Sequence, residues 1–310
     1  MLDLSVVIVN SNTCELLRDC LRSIIGSTTG IEYEVIVVDN NSADGSAKMV
    51  ETEFPWVKLI RNSENLGFSR GNNQGFEVSS GKFILMLNSD TIVLGDAVNS
   101  SVRFMEEHLE AGAVGCRTVD GEGELQVTYE RFPTILSEVF RTTSLSRLFP
   151  HSVGVDRGGY LEVDWVQGSF LMLRRAALSE IGMLDEMYSP AYCEETDLCY
   201  RLKEAGWQVH YVPEATIVHL GGQTTKSMYE WHFLQVHRSK FLFFKKHRGR
   251  LYAHTYRLLR SVMCLIRIGI LLSKVVLHVG QSEYLRKRLK LQWQLFCFLS
   301  NPRLTLPAVL

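Results

Sequence analysis

The sequence predicts an α/β fold, a mostly parallel, twisted sheet with helices on both faces, followed by a basic helical C-terminal extension. Three observations carry this. Four short apolar runs, "LSVVIV" (4–9), "EVIVVD" (34–39), "VKLIR" (57–61) and "KFILML" (82–87), alternate with helical stretches, as βαβ units do. The runs are rich in β-branched residues and lack a polar side, which suits strands buried on two faces. Charge is also unevenly placed: residues 1–237 hold 18 Lys+Arg against 33 Asp+Glu, whereas residues 238–310 hold 15 Lys+Arg against Glu283 alone. The expected division of the 310 residues is therefore an α/β domain over 1–240 and a basic helical tail over 241–310.

The elements follow in order. After the first strand comes "NSNT", then an amphipathic helix over about 15–25 with Leu16, Leu17, Cys20, Leu21 and Ile24 on one side. Asn12 or Thr13 is the expected N-cap, with Glu15 completing a capping box from Asn12. Helices around 43–52 and 69–79 follow strands two and three. "VDWVQGSFLMLRR" (163–175) reads as strand, Gly turn, strand, and "AALSEIGMLDE" as a short helix stopped at Gly182. Glu194 opens a helix over about 194–205 that ends at Gly206. The seven cysteines are scattered with no Cys-x-x-Cys, as expected of reduced cytosolic thiols, and the N-terminus lacks a signal-peptide pattern.

Polar residues collect where open α/β sheets bind ligands, at the carboxyl ends of the strands. Asn10, Ser11 and Asn12 end strand one; Asp39, Asn40, Asn41 and Ser42 end strand two. "NSENLGFSRGNNQG" follows strand three, with Asn65, Gly67, Arg70, Asn72 and Asn73, and Asn88, Ser89 and Asp90 end strand four. Any one such loop is ordinary turn chemistry; four on one edge point to a site. A dinucleotide site needs a Gly-rich turn after strand one, and "VNSNTCE" has no glycine. A bound diphosphate would instead be neutralised by a divalent cation. Asp90 suits Mg²⁺ or Mn²⁺, which take few protein carboxylates plus phosphate oxygens. Glu194, Glu195 and Asp197 crowd one helical turn, where mutual repulsion would raise a pKa for general-base work. Arg201, four residues after Asp197, is its expected partner, leaving the two glutamates freer. His219 ends an apolar run in "VHLGGQTT" and suits a metal site.

"LSVVIVNSN", "EVIVVDNNSADGS", "ENLGFSRGNNQG", "ILMLNSD", "GSFLMLRRAALSEIGMLDE", "YCEETDLCYRLKEAGW" and "VHLGGQTT" together resemble family 2 glycosyltransferases of the GT-A fold, in their rhamnosyltransferase-like bacterial branch, over about residues 2–245. The resemblance implies that Asp39 contacts the base or ribose of a nucleotide-diphospho-sugar and that Asn10, Asn12 and Asn41 line the same pocket. It places Asn65, Gly67, Phe68 and Asn72 beside the nucleotide; Arg70 falls in the same motif. Asn88–Ser89–Asp90 stands for an Asp-x-Asp whose last acid holds Mn²⁺ or Mg²⁺ on the donor diphosphate, with His219 completing the metal site. Glu194–Glu195 stands for a Glu-Asp pair whose second member is the catalytic base. The implied reaction is direct displacement with inversion, from thymidine-diphospho-rhamnose by analogy, to a glycan or lipid-linked hydroxyl. Asn88 and Glu195 depart from the motifs. The first leaves one carboxylate on the cation, so metal affinity is expected to depend on bound nucleotide. Two other readings share these acids: a catalytically silent nucleotide-sugar-binding scaffold on the same fold, and a nucleotidyltransferase, whose basic Gly-rich phosphate loop is absent.

In the tail, "RLYAHTYRLLRSVMCLIRIGILLSKVVLH" (250–278) carries Arg260, Arg267 and Lys274 seven apart, one stripe on a helix. A spanning helix would avoid the central Arg267, so the expectation is a helix in the membrane interface with that stripe toward anionic head groups. "YLRKRLKLQWQLFCFL" (284–299) repeats the style, with Trp293 as an anchor. The competing reading packs the helices on the first domain or pairs them in a homodimer. Nucleic acid is not expected, given the acidic body and the absence of a reader motif. The implied location is the cytoplasm, peripheral on the inner face of the cell membrane.

Overall fold

The computed structural model describes residues 2–141, 159–221, 229–277 and 282–301. His278 and the Gly222–Thr225 end of "VHLGGQTT" lie outside them. In chain order the elements are β1 (Leu4–Asn10), α1 (Cys14–Ser27), β2 (Tyr33–Asp39), α2 (Ser46–Glu53), β3 (Lys58–Arg61), α3 (Phe68–Val78), β4 (Phe83–Asn88) and β5 (Thr91–Leu94). Then come α4 (Ala97–Glu107), β6 (Ala111–Val119), β7 (Tyr129–Glu130), α5 (Ile135–Arg141), β8 (Leu161–Glu162), β9 (Trp165–Val166), β10 (Phe170–Arg174) and α6 (Arg175–Ile181). A 3₁₀ turn at Glu186–Tyr188 leads to α7 (Glu194–Glu204) and β11 (Gln208–His219), and α8 (Tyr229–His247), α9 (Arg250–Leu277) and α10 (Ser282–Ser300) follow.

The described residues divide into two compact units, 2–132 with 159–221, and 133–141 with 229–277 and 282–301. The boundary expected at residue 240 would cut α8, which packs along α9 and so belongs to the helical unit.

The first unit is built on a nine-stranded sheet in the order β3-β2-β1-β4-β10-β6-β11-β5, with β8 also on β11. β3, β2, β1 and β4 run parallel, while β10 lies antiparallel between β4 and β6. The unbroken apolar runs have their cause here. In β1, Leu4, Val6 and Ile8 face one core layer with α1, and Val7 faces the other. Each such side chain contributes roughly 1.5–3 kcal/mol by leaving water. The pair Gly71 and Gly75 on α3 lets that helix lie against β1: a Cβ at Gly75 would sit 2.2 Å from Val7 Cγ1, and one at Gly71 2.9 Å from Val9 Cγ1.

Register places the polar strand ends side by side. Asn10 pairs with Asp39, Asp39 with Arg61, and Val9 with Asn88. Only Ser89 and Asp90 separate β4 from β5, although β10, β6 and β11 stand between them in the sheet. Three residue steps span at most about 11 Å, whereas four strand spacings in a flat sheet need about 19 Å. The sheet therefore folds over the strand ends, and an irregularity in β11 between Val212 and Thr216 supplies the bend. Past it, β11 pairs with β5 and sets His219 opposite Thr91.

In the helical unit α9 packs between α8 and α10. Of the cation stripe, Arg260 does not face outward as expected, Arg267 is half-buried and Lys274 is exposed. Arg260 is only 2% exposed, and its Nη2 donates to His237 Nε2 on α8 at 3.1 Å. His237 Nδ1 in turn donates to Tyr256 Oη at 2.7 Å, and burial together with Arg260 holds His237 well below the ordinary histidine range. Arg260 faces inward because its side of α9, with Ala253, Tyr256 and Cys264, is the side packed in the helical unit, where His237 of α8 accepts from it.

Candidate functional site

The site grows from the ends of β1, β2 and β4. Asn10 is fully buried and has every polar atom engaged. Its Nδ2 donates to Asp39 Oδ1 and to Ser42 Oγ, both at 3.0 Å, and its Oδ1 accepts from Thr13 Oγ1 at 2.6 Å. With the Thr13 proton committed there, the 2.9 Å contact between Thr13 Oγ1 and Ser89 Oγ is donated by Ser89. One chain of hydrogen bonds thus ties Asp39 to the turn that carries Asp90. Asn10 positions Asp39, whose Oδ2 accepts from Ser42 N at 3.0 Å. Asn12 and Asn41 both adopt left-handed backbone (φ 54° and 60°), which Asn tolerates better than most residues. The Asn12 amide oxygen accepts from Ala43 N at 2.8 Å. The expected capping box is not formed: Asp44 accepts from Cys14 N, and Glu15 pairs with Arg18. The polar side chains before α1 are committed to the strand-end network instead.

The third loop is partly site and partly scaffold. Asn65 donates to Ser11 Oγ at 3.2 Å and accepts from Gly67 N. Gly67 has φ +82°, and a Cβ there would meet Pro190 Cα at 2.9 Å. Phe68 N donates to Pro190 O at 2.8 Å, so this loop abuts the segment leading into α7. Arg70 is turned to Glu186, 2.8 Å away and exposed. Asn72 is buried and bonds back to Phe68 O at 3.0 Å. Among the described residues neither hydrogen-bonds to the strand-end network, and their place beside a nucleotide is a proposal carried by the motif.

Asp90, His219 and Asn88 converge. His219 Nε2 lies 3.3 Å from Asp90 Oδ1 and 3.4 Å from Asn88 Nδ2. Gln126 grips the histidine at two points: its Nε2 donates to His219 O at 2.9 Å, and its Oε1 faces His219 Nδ1 at 3.1 Å. Because the amide nitrogen is fixed on the carbonyl, Oε1 must accept, so Nδ1 carries hydrogen and Nε2 is the ring nitrogen turned toward Asp90. A carboxylate oxygen and an imidazole nitrogen 3.3 Å apart form a two-member donor set for a hard or borderline divalent cation, with Asn88 facing the ring through its amide nitrogen. Among the described residues no group of three His, Cys, Asp or Glu could hold a metal alone. The set fits Mn²⁺ or Mg²⁺ only with further oxygens from a bound diphosphate.

The acids of α7 form the other side. Asp197 is fully buried and pairs with Arg201 at 2.8 Å and Tyr188 Oη at 3.1 Å, as the four-residue spacing anticipates. Glu194 is 3% exposed and its Oε2 has no hydrogen-bond partner; Glu195 is more open. Both pKa values are raised, Glu194 well above the ordinary range and Glu195 up to about 7. Burial is the leading cause for both, and the expected repulsion, from Glu195, adds to it at Glu194. The backbone before them is strained, with Tyr192 and Cys193 at φ 80° and 68°. Burial and the two glutamates push the Tyr192 phenol up to about 12.

Thr13, Tyr192 and Gln126 stand at the site, and the sequence assigns them no part in it. Tyr192 stands inside a quoted motif, but Gln126 lies on a loop with no sequence signal and is found only through the ring it holds.

A sequence profile described as Glycosyl transferase family 2 matches residues 5–182. The chain is 26% identical over 234 residues to N-acetylglucosaminyl-diphospho-decaprenol L-rhamnosyltransferase of Mycobacterium tuberculosis, covering 69% of this chain and 76% of the relative. It is also 26% identical over 222 residues to rhamnosyltransferase WbbL of Escherichia coli K12, covering 66% and 81%. Among solved structures, GalNAc-T7 with UDP, GalNAc and Mn²⁺ superposes with a TM-score of 0.57 at 18% identity, over 71% of this chain and 43% of that one. TarS 1–349 of S. aureus in complex with UDP-GlcNAc gives a TM-score of 0.52 at 18% identity, over 78% and 66%. These two carry the fold alone, a GT-A-like α/β sheet.

Proposed function

This chain belongs to glycosyl transferase family 2, and we propose that it moves a sugar, rhamnose first among candidates, from a nucleotide-diphospho-sugar to a hydroxyl of a lipid-linked or glycan acceptor with inversion. The observation that carries the proposal is the placement of Asp90 and His219 at one sheet edge with the Asn10–Asp39 network. The two rhamnosyltransferase relatives, one of them named for a decaprenol-linked substrate, favour the donor and the acceptor class.

Each residue has a derived part. Asp39, held by Asn10 and Ser42, presents carboxylate oxygens to a ribose or base. Asp90 Oδ1 and His219 Nε2 would hold the divalent metal. When bound, that ion supplies positive charge for the departing diphosphate. Glu195, with its pKa raised toward neutrality, accepts the proton of the acceptor hydroxyl as its oxygen attacks the anomeric carbon. Glu194, deeper and more strongly raised, stays protonated and spares Glu195 a second negative neighbour. Holding donor and acceptor together supplies much of the remaining acceleration.

The test is a screen of nucleotide sugars with Mn²⁺, read by thermal stabilisation and donor hydrolysis, followed by transfer to a lipid-linked acceptor and assignment of the product anomer. Transfer lost in Glu195→Gln and Asp90→Ala supports the reading. A nucleotide sugar that binds but is never consumed would instead favour a scaffold.

A further inference from the structure

We infer that the exposed face of α9 seats at the headgroup–hydrocarbon boundary of an anionic lipid bilayer, with its apolar residues toward the lipid and Arg260 and Arg267 turned away from it. Leu251, Leu258, Val262, Leu265, Ile266 and Ile270 are all exposed, Leu251 at 82% and Leu258 at 65%. At 100° per residue they fall on one side of the helix. Arg260 and Arg267 fall on the opposite side, and Arg260 is buried against His237. A helix in water places these two classes the other way round. Polar groups inside and leucine outside is the arrangement of a helix whose outer solvent is hydrocarbon.

The surroundings select the partner. Lys245 and Arg250 are exposed at one end of the face, Lys274 at the other, and Arg286 on the neighbouring α10. Trp293 of α10 is exposed as well, on the same side of that helix as Arg286, and such a ring favours the membrane interface. Glu283 is the sole acid in residues 238–310. A second copy on this face would bring two strongly basic segments together, whereas anionic lipid neutralises them. No described helix is long and apolar enough to cross a membrane, so α9, about 42 Å long at 1.5 Å per residue, lies in the interface plane.

The inference rests on the proposed lipid-linked acceptor only for its purpose, and its test is independent of transfer. The full chain is mixed with vesicles of phosphatidylglycerol and phosphatidylcholine, or of phosphatidylcholine alone, and pelleted. Wild type is expected to partition at least tenfold more onto the anionic vesicles. Leu258→Gln/Ile266→Gln, both exposed positions, should lose at least tenfold of that partitioning with an unchanged melting temperature. Arg286→Gln/Lys274→Gln should weaken it mainly at low salt. Wild-type partitioning by the Leu258/Ile266 variant overturns the inference. So does a wild-type dimer that the same variant dissociates while vesicle binding persists, which would make the face a contact between copies. If no sugar transfer is ever found, vesicle binding still decides this claim; if vesicle binding fails, transfer to a soluble acceptor still decides the other.

Discussion

His219 Nε2 stands 3.3 Å from Asp90 Oδ1 because β11 bends beyond Val212 and pairs antiparallel with β5, setting His219 opposite Thr91. The two atoms are the kind of donors a divalent cation takes from a protein, an imidazole nitrogen and a carboxylate oxygen. Asp90→Asn and His219→Ala each remove one of the two proposed protein ligands. Each is expected to weaken Mn²⁺ binding at least tenfold, measured by the free-ion electron paramagnetic resonance signal during titration with a nucleoside diphosphate present. Chelation with EDTA should abolish transfer and restored Mn²⁺ should return it. Unchanged Mn²⁺ affinity in Asp90→Asn would move the metal elsewhere.

Gln126 carries a separable prediction. It fixes the ring of His219 through Nδ1 and the main-chain carbonyl. Gln126→Leu should release the tautomer, visible as altered ¹⁵N shifts of His219 in histidine-labelled protein, and should cost roughly tenfold in Mn²⁺ affinity, the lower range for an outer-sphere partner. Identical shifts in the variant would show that the ring is held by something else.

Much of this was legible in the sequence. β1 to β4 and the helices between them follow from unbroken apolar runs and their spacing, and the Asp197–Arg201 pair from a four-residue interval. What escaped is non-local. Nothing in "NSDTIV" says that the chain leaves the sheet centre at Asn88 and reappears at its far edge with Thr91, because strand order depends on which segments later fill β10, β6 and β11. Gln126 escaped for the same reason. The inward turn of Arg260 escaped because periodicity gives the angle between two faces of α9 but not which of them its neighbours cover.

The contact of α3 with β1 yields a stability prediction. Gly75→Ala would place a Cβ 2.2 Å from Val7 Cγ1, an overpacking that costs about 1–3 kcal/mol. Denaturant unfolding should show the loss, and Val7→Ala in the same chain should recover part of it. Strict additivity of the two changes would mean that the helix relaxes elsewhere.

The glutamate pair couples activity and stability in opposite directions. As the proposed base, Glu195 must be ionised to act, and burial raises its pKa to about 7. Transfer should therefore rise with pH through about 7 and level off above it. The stability sign is the reverse. A folded pKa above the unfolded value, near 4.3 for glutamate, means that the native state holds its proton more tightly than the unfolded chain. That contribution is complete below about pH 4 and is lost as pH rises through about 7. Glu195→Gln keeps a neutral side chain at every pH, so its melting temperature should exceed wild type at pH 8 by more than at pH 5. Its transfer rate should fall by about 10²–10⁴-fold. Glu194→Gln copies the protonated acid that burial already favours and should cost less than tenfold. If Glu194→Gln is the damaging change and Glu195→Gln the mild one, the deeper carboxylate is the base and the two roles exchange.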